Sequence, residues 1–115
     1  MSAKIKVRHV DGVAILDVSG RITLGEGSVG LRDAVHKELA EGNKKILLNL
    51  ADVGYMDSSG VGELTSAYSS VKHQGGEIKL VNLTKKVDGL MQITKLATVF
   101  DISSDESAAL ASFQG

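Results

Sequence analysis

The chain has 115 residues, enough for one domain with a substantial core and too few for two. It is 43% hydrophobic with only four aromatic residues (two Tyr, two Phe), so that core must be aliphatic. With 13 Lys and Arg against 14 Asp and Glu the net charge is −1, which argues against nucleic acid as a partner, and the lack of cysteine excludes disulfides, thiolate metal sites and a cysteine nucleophile.

The first ten residues contain no apolar run of the kind a secretion signal needs. No stretch approaches the roughly 18 apolar residues of a membrane helix, so a soluble cytoplasmic protein without a membrane partner is expected. Residues 5–9 alternate apolar and polar, the period of a half-buried strand. Asp11-Gly12 then has the chemistry of a tight hairpin turn. Residues 13–18 follow as a second strand, apolar on both faces and therefore central.

From about Ser28 the period changes. Leu31, Ala34, Val35 and Leu39 fall on one face of a helix, and Gly42 stands just past its end. Residues 45–50 form a short buried strand, reached through that helix and so parallel to the second strand. Ser58 or Ser59 opens a helix that turns Val61, Leu64, Tyr68 and Val71 inward and stops at Gly75-Gly76. Residues 77–82 are the next strand, and Thr84 caps a helix carrying Val87, Leu90 and Met91. Residues 97–100 suggest a short edge strand. Ser103 and Glu106 have the spacing of a capping box before a last helix that buries Leu110 and Phe113. The expected fold class is α/β: a hairpin followed by βαβ units, giving a mixed β-sheet of four to five strands with helices packed against it, in a single domain over residues 1–115.

Three segments carry candidate chemistry. Residues 25–30, GEGSVG, match the G-x-G-x-x-G of phosphate-binding loops, where glycines admit close backbone approach and a helix N-terminus favours anions. The glycines do not directly follow the first strand, however, so a plain loop leading into a helix is the competing reading. Ser58 lies between a strand and a helix, as a nucleophile elbow requires, but Met56 stands where G-x-S-x-G has its first glycine. His9, His36 and His73 show no recognisable partner for Ser58 and no shared ligand spacing, so neither acyl-transfer catalysis nor a metal is expected, and no cofactor.

The third segment is the same one read at greater length. Residues 46–62, ILLNLADVGYMDSSGVG, closely resemble the bacterial anti-sigma factor antagonists, the single-domain STAS proteins. The central DSSGVG is the specific part; Val18-Ser19-Gly20 and residues 75–81, GGEIKLV, support it. The resemblance implies a STAS-like sheet and a non-enzymatic regulator working by partner switching in transcription. Ser58 would accept a phosphoryl group from an anti-sigma factor that is also a serine kinase, a protein phosphatase would reset it, and only the unmodified form would hold the anti-sigma factor. Asp57, Ser58, Ser59, Gly60, Gly62 and, from the preceding loop, Thr23 would form the partner-binding surface. Asp57 is expected to cap the helix, Ser59 to be a second hydroxyl or the cap itself, and the glycines either to leave room for a partner or to allow close packing. Many relatives carry an acidic residue after the glycine that ends the second strand; here Arg21 follows Gly20. A STAS scaffold or transporter-associated module is the alternative.

Overall fold

The computed structural model describes residues 3–114. Strand β1 (Lys4–Val10) turns through Asp11 and Gly12 into β2 (Val13–Ile22). Both turn residues have positive φ, 52° and 79°, the geometry whose twist suits a two-residue hairpin. Helix α1 (Glu26–Ala40), strand β3 (Lys45–Met56), helix α2 (Ser58–His73) and strand β4 (Glu77–Val81) complete two crossover units. Helix α3 (Lys85–Ile93), a short 3-10 turn (Leu96–Thr98), strand β5 (Ile102–Ser103) and helix α4 (Glu106–Gln114) finish the chain. The sheet has five strands in the order β1-β2-β3-β4-β5, antiparallel at β1–β2 and parallel elsewhere, as the alternation of strand and helix predicts.

The core has two unequal halves. Ala14, Leu16 and Val18 of β2 face the main core with Leu31, Leu48, Leu64, Val87 and Met91. Val13 and Ile15, on alternate positions, face a smaller cluster with Leu47, Val81, Ala109 and Phe113 under α4. A strand covered on both faces has no polar alternation, which is why residues 13–18 read as a continuous apolar run.

The elements depart from the sequence expectations at four places. Both β2 and β3 run farther than the apolar pattern, to Ile22 and Met56, across register shifts at residues 17–19 and 20–21. Residues 25–30 are not a loop: α1 already begins at Glu26, and Gly27 and Gly30 are helical. The edge strand at residues 97–100 is instead a tight turn. Lys95 takes φ 68° there, and Phe100 N donates to Leu96 O, so Leu96 and Phe100 both turn inward at helical spacing. Ser103 and Glu106 do not form a capping box. Asp105 Oδ2 accepts from Ala108 N at 3.0 Å, while the Glu106 carboxylate is drawn to Arg8 at 2.8 Å.

Candidate functional site

The site is built where β2 and β3 end side by side. Arg21 pairs with Tyr55 and Ile22 with Met56, and one residue later the chain turns into α2. Asp57 organises this corner. Its backbone is extended, its Oδ1 accepts from Gly60 N at 3.1 Å, and its carbonyl accepts from Val61 N at 3.1 Å. Asp57 is therefore the N-cap of α2, satisfying amides that the first helical turn would otherwise leave bare. Its second oxygen accepts from Leu24 N at 3.3 Å, and its own N–H donates to Ile22 O at 3.3 Å. One side chain thus ties the start of α2 to the loop between β2 and α1.

Ser58 is the first residue of α2 and is exposed. Because Asp57 already caps the helix, the Ser58 hydroxyl has no hydrogen-bond partner among the described residues. Ser59, half-buried, is the second helical residue and not the cap. Gly60 and Gly62 part company. A Cβ on Gly60 would lie 2.4 Å from Ile22 O and 2.4 Å from the Met56 side chain, so this glycine is where α2 lands on the ends of β2 and β3. A Cβ on Gly62 would meet nothing within 4 Å, and the residue is exposed.

Thr23 is brought next to this corner through the Leu24–Asp57 bond. Its carbonyl accepts from Ser28 N at 3.1 Å and from Ser28 Oγ at 2.9 Å, closing the first turn of α1. Helix α1 has no side-chain cap: Gly25 occupies that position with φ 94°. Gly27 packs there, its notional Cβ 2.6 Å from Arg21 O. The G-x-G-x-x-G segment is accordingly the landing of a second helix on the end of β2, with Ser28 turned inside. Ser58 has no histidine partner: His9 Nε2 is paired with Glu38 Oε1 at 2.8 Å, and His36 and His73 line a groove between the distal halves of α1 and α2. Among the described residues, no cluster of three or more His, Asp or Glu could hold a metal ion.

Two residues near this corner escape the motif reading. Leu24, whose N–H donates to Asp57 Oδ2, is 81% exposed, and Tyr55, two residues before Asp57, is 37% exposed. The Arg21 guanidinium lies 4.7 Å from the Tyr55 ring centre and the Lys86 ammonium 5.5 Å from it. A leucine among glycines and a basic residue directly after Gly20 are the sequence signals of this surface. The groups whose titration is displaced lie away from it. Hydrogen bonds from Arg8 hold the Asp17 carboxyl below the usual carboxylate range, and Asp17 in turn raises Arg8. Arg32 is raised by its bond to Glu63, which clasps α1 to α2 at 2.9 Å. No helix among the described residues is long and apolar enough to cross a membrane.

Residues 4–109 match the model of the STAS domain. The chain is 34% identical over 104 residues to the anti-sigma-B factor antagonist of Bacillus subtilis, covering 90% of this chain and 94% of that one. It is 26% identical over 117 aligned positions to the anti-sigma F factor antagonist of Paenibacillus polymyxa, covering 99% and 97%. Among solved structures, a candidate anti-sigma factor antagonist of Thermotoga maritima superposes with a TM-score of 0.89 at 28% identity, over 96% of this chain and 95% of that one. The Bacillus protein SpoIIAA shares the fold in its unphosphorylated form, TM-score 0.72 at 18% identity over 97% and 99% of the two chains. Its phosphorylated form gives 0.73 at 18% over 94% and 97%.

Proposed function

The chain belongs to the STAS domain family, and from that premise we propose that it is an anti-sigma factor antagonist whose hold on its partner is switched by phosphorylation of Ser58. Bound to an anti-sigma factor, it frees the sigma factor that the anti-sigma factor would otherwise sequester. One observation carries this reading: the Ser58 hydroxyl is exposed on the first turn of α2 and uncommitted, because Asp57 does the capping. The chain is a binding module and a kinase substrate, not a catalyst.

In the modification step Ser58 Oγ attacks the γ-phosphorus of ATP held by the kinase. The new O–P bond forms as the bond to ADP breaks, and the hydroxyl proton passes to a base of the kinase. A phosphatase reverses the outcome by hydrolysis, returning the hydroxyl and releasing inorganic phosphate.

The physical logic lies in where the charge arrives. A phosphoserine carries about −1.5 to −2 charges near neutral pH. At a helix N-terminus the macrodipole and free amides favour that charge, so α2 need not unfold to accommodate it. That the phosphorylated and unphosphorylated forms of SpoIIAA share one fold with this chain agrees with a switch that leaves the architecture intact. A partner docked across the same turn must desolvate the phosphate, at a cost of several kcal/mol when it is left unpaired. Each ~1.4 kcal/mol is about tenfold in affinity, so the modification suffices to release a partner.

The test is incubation with ATP and the cognate anti-sigma factor kinase, followed by peptide mapping. Phosphate on Ser58 is expected. In calorimetry against the same protein, Ser58→Asp should bind about 100-fold more weakly than wild type and Ser58→Ala within a few-fold of it. Phosphate elsewhere, or equal affinities, would contradict the switch. A stable complex that ignores the kinase would point to a scaffold role instead.

A further inference from the structure

We infer that Arg21 and Lys86, gathered on the ring of Tyr55, form a cationic clamp that engages carboxylates on the docked anti-sigma factor. The inference rests on the partner-switching reading above and adds the chemistry of the partner's surface to it.

Arg21 is singular among the arginines. The chain has three. Arg8 is tied to Asp17 and Glu106, and Arg32 to Glu63. Arg21 is exposed and makes no ion pair or side-chain hydrogen bond among the described residues, so its donors face solvent uncommitted. Its guanidinium is nevertheless held in place over Tyr55 at 4.7 Å. A planar fork fixed by an aromatic ring has less rotamer freedom to lose when it meets a carboxylate, which is the condition for a bidentate contact to add affinity.

Lys86 breaks a local rule in the same place. Lys85 and Lys86 begin α3, where the positive end of the helix dipole disfavours cations. Capping does not explain them, since Thr84 Oγ1 already accepts from Val87 N. The Tyr55 ring is what draws Lys86 to this place. Lys86 converges on the ring that Arg21 covers, and the two make a local positive surface on a chain whose net charge is −1.

The clamp faces past Ser58, not at it. Arg21 and Tyr55 are paired across β2 and β3, so their side chains share one face. Their neighbours Ile22 and Met56, on the opposite face, are buried under the first turn of α2, against which Gly60 packs. A phosphate on Ser58 therefore arrives on the α2 side of the strand ends, while the guanidinium fork stands on the other. That separation leaves the fork free for acidic side chains of a protein surface docked at this corner.

Titration calorimetry of the full chain with its cognate anti-sigma factor tests the clamp. Arg21→Glu should weaken binding by about 30-fold or more and Lys86→Glu by about tenfold. Arg21→Lys should fall between wild type and Arg21→Glu, because it keeps the charge and loses the fork. Lys37→Glu, an exposed lysine at the far end of α1, should stay within about twofold. Added salt should weaken wild type more than Arg21→Ala. Unfolding curves superimposable on wild type establish that the variants are folded. If wild type binds and Arg21→Glu binds equally well, the clamp is overturned and the switch stands. If Arg21→Ala alters only the phosphorylated chain, the fork serves the phosphate and the clamp is likewise overturned. If wild type does not bind at all, the switching reading falls and takes the clamp with it.

Discussion

Two helices begin at the same corner, and their first turns are built alike. Gly27 sets α1 against Arg21 O, and Gly60 sets α2 against Ile22 O, on consecutive carbonyls of β2. Each has a second glycine farther on, Gly30 and Gly62, with nothing within 4 Å of a notional Cβ. Each also carries a serine in the first turn. There the likeness ends. Helix α1 has no side-chain cap, and Ser28, 6% exposed, closes its turn by donating to Thr23 O. Helix α2 has Asp57 as its cap, which leaves Ser58 outside with nothing to hold. A serine becomes available for chemistry when another residue does its structural work. The neighbouring turn shows what a serine does when none is present.

Substitution of the two packing glycines should have the largest effects. Gly60→Ala drives a methyl against both Ile22 O and the Met56 side chain, and should lose about 3 kcal/mol in urea unfolding. Gly27→Ala meets a backbone oxygen at 2.6 Å with Ile22 Cα next at 3.2 Å, and should lose about 2 kcal/mol. Equal stability of either variant with wild type would show that the helix landings are softer than this geometry. Asp57→Ala comes next. It removes the cap of α2 and the tie to Leu24 N together and should cost about 1–2 kcal/mol.

How far these two turns can be read from residues alone differs in an instructive way. The helix at residue 58 announces itself: an aspartate follows a buried strand, and inward apolar positions recur from Val61. The start of α1 does not, because a run of glycines looks the same whether it is a loop or a helix landing on a strand. Which glycine packs and which is open depends on the carbonyls of β2, and β2 reaches those positions only through register shifts that no periodicity records. The exposed hydroxyl of Ser58 follows from the motif once Asp57 is taken as the cap. Arg21 against Tyr55 does not, since their pairing depends on the same shifted register. The capping box at Ser103 and Glu106 fails for a related reason: Arg8, 98 residues away in sequence, claims the glutamate.

The serines sharpen the comparison at smaller scale. Ser28→Ala removes the hydroxyl bonded to Thr23 O and should cost about 1 kcal/mol, with the loop before α1 loosened. Ser58→Ala removes a hydroxyl bonded to nothing in the described residues and should lie within about 0.5 kcal/mol of wild type. A stability loss at Ser58 matching that at Ser28 would mean its hydroxyl is structural after all, and would remove the distinction on which the proposed switch depends.

The open glycines offer the smallest effect and separate two reasons for keeping a glycine. Gly30 and Gly62 both lie inside helices with ordinary helical backbone, where alanine is favoured by up to about 1 kcal/mol. With no neighbour to strike, Gly30→Ala and Gly62→Ala should each raise stability by about 0.5 kcal/mol. If Gly62 is kept for folding, its variant should fold less well; if it is kept because a partner lies flat across α2, the variant should be more stable and bind more weakly. Measuring both quantities on both variants decides between them. The expected pattern is a gain in stability at each site, with loss of anti-sigma binding by Gly62→Ala exceeding that by Gly30→Ala, because residue 62 lies one helical turn beyond Ser58.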